Sequence, residues 1–142
     1  MRGQLLSDVV VPYGIHDDSR ALRLHARVAQ GFTIEEAEAQ LASVGLPPGL
    51  LPSLVGRDAR TIRTKQAKGQ RLERRDSGDL VEIVRLHQYA LRVLGKLEYV
   101  REWFASPHPS LGDVAPEQVA RDAYGRSLVR DVLGRIEHGV YG

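Results

Sequence analysis

Glycine and proline divide this chain of 142 residues into short segments, and the apolar residues within the segments recur at helical spacing. Recurrence at intervals of three and four residues is typical of amphipathic helices, which pack their apolar face on a core. No alternating pattern of useful length indicates a strand, apart from Val9, Val10 and Val11 near the N-terminus. The sequence therefore predicts an all-α fold.

The first two predicted helices lie before Gly45. One spans residues 18–30 and ends at Gly31, with an inner face formed by Ala21, Val28 and either Leu24 or Leu22. The next begins after Thr33, a candidate N-cap residue, and Glu36 stands three residues later. This spacing indicates a capping box, in which each side chain bonds the backbone N–H of the other residue.

Two further helices flank a turn at Gly56. Pro47 and Pro48 suit the first turn of a helix, and Pro52 predicts that this helix is short or irregular. Residues 58–67 read as the second helix of the pair, which is rich in Arg, Thr and Lys. Two short helices joined by a glycine turn form the layout of a helix-turn-helix.

The second of these helices lies in the most basic part of the chain. Between Arg57 and Arg75 there are eight basic and two acidic residues, a local net charge of +6 in a chain of net charge +2. Concentrated positive charge indicates phosphate binding, although a solvated arginine-rich helix without a partner gives the same pattern. The candidates for contact with base edges are Arg57, Arg60, Thr61, Arg63 and Thr64, and those for the DNA backbone are Lys65, Lys68 and Arg71. Ile62 is the expected inward anchor.

A long amphipathic helix is predicted from Ser77 to Gly95, capped by Asp76 or Ser77. One broad stripe carries its apolar residues and one histidine, namely Leu80, Ile83, Val84, His87, Leu91 and Leu94. His87 is interpreted as a hydrogen-bonded core histidine rather than as a ligand or base, because no second His or carboxylate lies at a helical interval on its side.

The next predicted helix, residues 96–105, presents Leu97, Val100, Trp103 and Phe104. The two large aromatic residues can serve as interface anchors or as core residues, and core packing is the preferred interpretation. Pro107 and Pro109 then predict an extended connection.

The last helix ends at Gly139, a residue type that adopts the left-handed conformation without a Cβ penalty. Its inner face consists of Leu128, Val129, Val132, Leu133 and Ile136, and its predicted solvated residues are Arg126, Arg130 and Arg135. A short tail with Tyr141 and a free carboxylate follows, which suits insertion into a partner. Glu137 and His138 allow a general-base interpretation, but the helix dipole explains a histidine in the last turn more simply.

Composition argues against several classes of function. The chain has no cysteine, and its five histidines show no metal-ligand spacing. Neither a glycine-rich phosphate loop nor a nucleophile elbow is present. We therefore expect no catalytic residue, no metal and no cofactor. Because no apolar run reaches membrane-spanning length and no signal peptide opens the chain, we expect a soluble, cytoplasmic protein.

The segment from Trp103 to Tyr141 resembles the toxin-binding domain of the Xre/MbcA/ParS antitoxin family. The family pattern is a Trp-containing helix, a proline-bracketed Leu-Gly, a helix-opening Pro and a closing Leu-Gly-Arg-Ile-x-His-Gly-Val-aromatic motif. Here these are Trp103, Leu111-Gly112, Pro116 and residues 133–141. The resemblance extends from about Gly31 to the end and is strongest in the C-terminal third.

The resemblance implies that the tail is placed at the active site of a cognate toxin, commonly a RES-domain enzyme that destroys NAD. The residues it implicates are Trp103, Leu111, Arg135, His138, Gly139, Val140, Tyr141 and Gly142. It also implies that the chain represses its own operon through operator DNA. The family has a Thr-Leu-x-Arg pattern in its DNA-binding region, which Thr61-Ile62-Arg63 approximates.

The expected organisation has three parts: residues 1–17 as an N-terminal segment open to disorder, residues 18–76 as a helix-turn-helix-like bundle, and residues 77–142 as a small helical toxin-binding domain. A homo-oligomer, at least a dimer, is expected because operators read by helix-turn-helix proteins are commonly two-fold. The alternative function is a plain helix-turn-helix transcriptional regulator whose C-terminal domain only dimerises.

Overall fold

The computed structural model describes residues 10–139, and this part of the chain contains eight α-helices and no strand. The helices are α1 (Asp18–Gln30), α2 (Ile34–Ser43), α3 (Leu51–Leu54), α4 (Ala59–Ala67), α5 (Arg74–Leu94), α6 (Leu97–Ala105), α7 (Pro116–Val119) and α8 (Ala123–Glu137), with 3₁₀ turns at Pro48–Leu50 and Pro109–Leu111. The predicted all-α fold is confirmed. No helix among these residues is both long enough and apolar enough to span a membrane.

The chain divides into two compact units between Arg85 and Leu86, and this dividing point lies within α5. Residues 76 and 77, at the expected boundary, lie in the first turn of that helix. Asp76 and Ser77 are both fully buried and bonded to residues of the first unit. Each unit is described separately below.

The core of the first unit is formed by side chains from α1 to α5 and from the segments between them. The largest of its fully buried side chains are Phe32, Ile34, Leu41, Leu51, Leu72 and Leu80. Val10, Val11 and Tyr13 are also buried, and Arg85 Nε donates a 2.8 Å hydrogen bond to the Val11 carbonyl oxygen. Residues 10–13 thus pack within the first unit, while residues 1–9 of the predicted N-terminal segment lie outside the described part.

Local capping chemistry sets the ends of α1 and α2. The Asp17 side chain accepts a hydrogen bond from the Arg20 N–H at the start of α1. The predicted capping box is present at α2: Thr33 Oγ1 accepts from the Glu36 N–H, and Glu36 Oε1 accepts from the Thr33 N–H. On α1, Leu24 rather than Leu22 is the buried leucine, and Ala21 is exposed, contrary to its predicted inner position.

Helices α2, α3 and α4 contact one another in the first unit. The proline-rich stretch before Gly56 forms a 3₁₀ turn followed by the four residues of α3, as its prolines predicted. Gly56 then turns the chain with φ +70°, and Asp58 caps α4. Ile62 is 4% exposed, so it is the inward anchor of α4.

Helix α5 begins at Arg74, before both residues predicted to cap it. Asp76 and Ser77 lie inside its first turn, and Ser77 Oγ accepts a 3.1 Å hydrogen bond from the Phe32 N–H. Their polar atoms are thus used in tertiary contacts rather than in capping. The end is as predicted, since Gly95 has φ +88° directly after Leu94.

The second unit packs α6, α7 and α8 in sequence, with α7 contacting both of its neighbours. Val100 and Phe104 from α6 and Val129, Val132 and Leu133 from α8 are buried. Gly125 allows the closest approach in this unit, because a Cβ built there would lie 1.7 Å from the Val119 carbonyl oxygen. Close backbone packing therefore requires glycine at the start of α8.

One arginine of α8 departs from the predicted solvated set. Arg126 is only 7% exposed, and its Nη1 donates a 3.4 Å hydrogen bond to the Ala120 carbonyl oxygen. The helical pattern places Arg126 on the polar side, but the segment that leads from α7 into α8 covers it. Arg130 and Arg135 are exposed as predicted. The predicted end at Gly139 is confirmed, with φ +69° at that residue.

Candidate functional sites

The basic surface of the first unit is centred on α4. Arg60, Thr61, Arg63 and Thr64 are exposed on this helix, on the side that Ile62 leaves free. Lys68, at the C-terminal end of the helix, is also exposed, and Lys65 is half-buried. The ion pairs found among residues 10–139 include none of these cations, so their charge remains available to an anionic partner.

Two of the predicted DNA contacts are instead engaged within the unit. Arg57 Nε donates to Asp76 Oδ2 at 2.8 Å, and its Nη2 donates to Glu73 Oε1 at 3.1 Å. Hydrogen bonding and charge attraction from Asp76 raise the pKa of the Arg57 guanidinium. These contacts tie the turn before α4 to the first turn of α5.

Arg71 is likewise engaged, at the junction between α1 and α2. Its Nη1 donates a 2.9 Å hydrogen bond to the Gly31 carbonyl oxygen and lies 3.7 Å from Glu36 Oε1. The side chain is still half exposed, at 47%. Six of the eight candidates thus lie on α4 or at its C-terminal end. The other two, Arg57 and Arg71, bond to residues of the segments around this helix.

In the second unit, Trp103 and Leu111 lie close to the turn between α6 and α7. Trp103 is half-buried and meets the edges of two rings, Phe104 at 5.3 Å and His108 at 5.9 Å between centroids. Phe104 is buried and stacks on His87 with the ring centroids 4.3 Å apart, and His87 itself is half-buried. Core packing accounts fully for Phe104 and only partly for Trp103.

The segment around Leu111 is an ordered loop. The His108 N–H and the Val114 carbonyl oxygen form a 3.2 Å hydrogen bond that closes it, and His108 Nδ1 accepts from the Ser110 N–H. Leu111 is half-buried in the 3₁₀ turn, which contacts α8. The proline-bracketed Leu-Gly thus packs beside the last helix.

The remaining candidates lie at the C-terminal end of α8. Arg135 and Gly139 are exposed, and the His138 side chain is 75% exposed. The predicted contacts Val140, Tyr141 and Gly142 lie outside the described residues. The structure therefore places a solvent-facing cation and histidine immediately before the tail.

The sequence did not indicate the polar cluster that holds this end of α8. Tyr89 Oη donates to Glu137 Oε1 at 2.8 Å, and Arg92 Nε lies 3.7 Å from Glu137 Oε2. Tyr89 and Arg92 are three residues apart on α5, a spacing that predicts a shared face but identifies no partner 48 residues away. In the described part of the chain, no group of three or more His, Cys, Asp or Glu side chains could hold a metal ion.

Comparison with known proteins gives a family match and a relative. Residues 90–139 match the family described as antitoxin Xre/MbcA/ParS C-terminal toxin-binding domain. Over 125 residues the chain is 23% identical to a protein of Yersinia enterocolitica serotype O:8 / biotype 1B named Antitoxin Xre, an alignment that covers 87% of this chain and 84% of that protein. The matched region contains α6, α7 and α8 together with Arg92 and Glu137, and Tyr89 lies one residue before it. Both matches support an antitoxin of the Xre/MbcA/ParS type, and residues 90–139 are the part similar to the toxin-binding domain of that family.

Proposed function

We propose that this antitoxin silences its toxin by occlusion, with the tail from His138 to Gly142 entering the active-site cleft. The observation that carries the proposal is the geometry at the end of α8. The helix stops at Glu137, Gly139 takes the left-handed conformation, and the side chains of Arg135 and His138 are exposed beside it. The chain therefore leaves a packed helix at an exposed point, where a partner can receive it.

The toxin we propose is a RES-type enzyme that degrades NAD. This follows from the resemblance of the closing motif, residues 133–141, and from the toxin-binding family matched by residues 90–139. The proposed contact surface comprises the tail, Arg135, and the half-exposed Trp103 and Leu111. An aromatic anchor in a partner's pocket commonly dominates binding energy, a role we assign to Tyr141.

A second role, repression of the operon, is supported by the exposed basic surface of α4. Arg60, Thr61, Arg63 and Thr64 would face base edges, and Lys65 and Lys68 the phosphates. We assign Arg57 and Arg71 to holding α4 in place, because their guanidinium groups are bonded within the unit.

A dimer would suit a two-fold operator, but Leu80 of the long helix cannot serve its interface, since that side chain is fully buried. Light scattering of the isolated chain decides the oligomeric state.

Co-expression with the product of the adjacent gene tests the proposed function. The expected result is a stable purified complex, together with a cellular NAD level that falls when the neighbour is expressed alone and recovers with the antitoxin. A neighbour whose toxicity persists within the complex would contradict occlusion. Toxicity without any fall in NAD would contradict only the RES assignment.

A further inference from the structure

The carboxylate of Glu137 is held at both oxygens by two residues of one helix. Tyr89 Oη donates to Oε1 at 2.8 Å, and Arg92 Nε lies 3.7 Å from Oε2. The Arg92 guanidinium also lies over the Tyr89 ring, 4.9 Å from its centroid. Because Tyr89 is only 8% exposed, its ring is fixed by packing and its hydroxyl is presented in one direction.

Gly134 leaves room for this contact one turn earlier in α8. A Cβ built at Gly134 would stand 3.5 Å from Tyr89 Oη, an ordinary contact that leaves little space for a longer side chain. Burial and the hydrogen bond to Glu137 raise the pKa of Tyr89. The hydroxyl is therefore the proton donor in this contact at neutral pH.

Glu137 is the last residue of α8 and comes two residues before the left-handed Gly139. The final turn of a helix has unsatisfied carbonyl groups and tends to fray. Here the His138 and Gly139 N–H groups bond to the carbonyl oxygens of Gly134 and Ile136 at 3.0 and 3.1 Å. A carboxylate pinned at Glu137 holds this turn closed and so sets the direction in which the tail leaves the helix.

We propose that Glu137, held by Tyr89 and Arg92, is a positioning residue that fixes the end of α8, at His138 and Gly139, for binding to the toxin. The proposal rests on the proposed tail occlusion and adds the residue that fixes the point at which the tail begins. A helix end held near its bound geometry loses less conformational entropy on binding, and the benefit appears in affinity. Glu137 itself need not touch the toxin.

Tyr89→Phe is the sharpest test, since it removes only the hydroxyl, and Tyr124→Phe is the matched control. Tyr124 lies on α8 and is 74% exposed, so the same chemical change there leaves the cluster intact. We expect Tyr89→Phe to weaken toxin affinity by about fivefold to tenfold, the scale of one typical hydrogen bond. Amide exchange at His138 and Gly139 should accelerate in the same variant. Tyr124→Phe should change neither quantity.

A double-mutant cycle with deletion of Gly139 to Gly142 separates positioning from general stability. If Tyr89 acts through the tail, Tyr89→Phe should cost no further affinity in the truncated chain. An equal loss in both backgrounds, or no loss in the full chain, would overturn the inference while leaving tail occlusion in place. Unchanged affinity on truncation alone would overturn tail occlusion and the inference together. Glu137→Gln should reproduce the effect of Tyr89→Phe in the full chain and lose it in the truncated one.

Discussion

Arg57 Nε donates a 2.8 Å hydrogen bond to Oδ2 of Asp76, whose side chain is fully buried. The pair connects the turn before α4 to the first turn of α5, in the most basic part of the chain. Arg57, which the charge pattern predicts as a DNA contact, thus compensates a buried carboxylate.

Substitution Arg57→Ala should lower the midpoint of thermal unfolding well below that of Arg60→Ala. The reason is that removing Arg57 leaves the buried Asp76 carboxylate with only the more distant and exposed Arg75 beside it, whereas Arg60 is itself exposed. Thermal melts of the two variants beside the native chain provide the measurement. Equal midpoints would show that the Arg57 pair contributes nothing to stability.

Operator binding, if α4 provides it, should weaken steeply as salt rises, because Lys and Arg contacts to phosphates release counterions. Arg60→Ala and Arg63→Ala should each cost about 1–3 kcal/mol for the specific site, and Lys68→Ala should weaken all sequences alike. Gel-shift titrations on the chain's own promoter and on a scrambled duplex separate these effects. Absence of a specific band at moderate salt would contradict the DNA-binding role.

Gly125→Ala should destabilise the second unit by about 1–3 kcal/mol, as expected of overpacking. The added Cβ would meet the Val119 carbonyl oxygen, and a backbone atom cannot rotate away. Gly134→Ala is the control on the same helix, where the nearest atom would be 3.5 Å distant. Denaturant unfolding of both variants measures the difference, and a Gly125→Ala chain as stable as the control would refute the packing argument.

Glu36 should contribute stability that is lost in acid. Burial alone would raise the pKa of Glu36, but hydrogen bonds from the Thr33 N–H and Arg27, with the charges of Arg27 and Arg71, hold it below the ordinary 4.5. A carboxyl whose folded pKa is depressed stabilises the fold above its unfolded pKa and loses that contribution as pH falls through the folded value.

The matched variant for this pH effect is Glu36→Gln. It should be less stable than the native chain at neutral pH, and the gap should close as pH falls below 4.5. Thermal midpoints of both chains across this range provide the measurement. A gap that stays constant with pH would show that the Glu36 charge is not responsible.

Most helix ends of this fold could be predicted because short-range chemistry determines them. The bounds of α1, the Thr33 and Glu36 capping box, and the stop at Gly139 each depend on residues within a few positions of one another. Backbone N–H groups at a helix start take the nearest acceptor, and a left-handed turn selects glycine. Such features can be predicted from the sequence without knowledge of tertiary contacts.

The misplaced features depend on partners outside the helix that carries them. The sequence predicts Asp76 or Ser77 as a helix cap, but the Asp76 side chain bonds to Arg57 and the Ser77 side chain to the Phe32 N–H. Arg126 looks solvated, although the connection from α7 covers it. The Glu137 cluster could not be predicted for the same reason. A helical pattern shows which face of the helix a residue occupies, but it does not show which residue packs opposite that face.

The most direct test of tail occlusion is growth rescue of cells expressing the toxin, with the thermal midpoint of each antitoxin variant measured alongside. The native chain should rescue growth, whereas deletion of Gly139 to Gly142 should fail to do so with a nearly unchanged midpoint, because α8 is held by its own buried face. Tyr141→Ala should weaken toxin binding by roughly 2 kcal/mol or more, as expected of an aromatic anchor. Full rescue by the deleted chain would contradict the account and would place inhibition on the surface around Trp103 and Leu111.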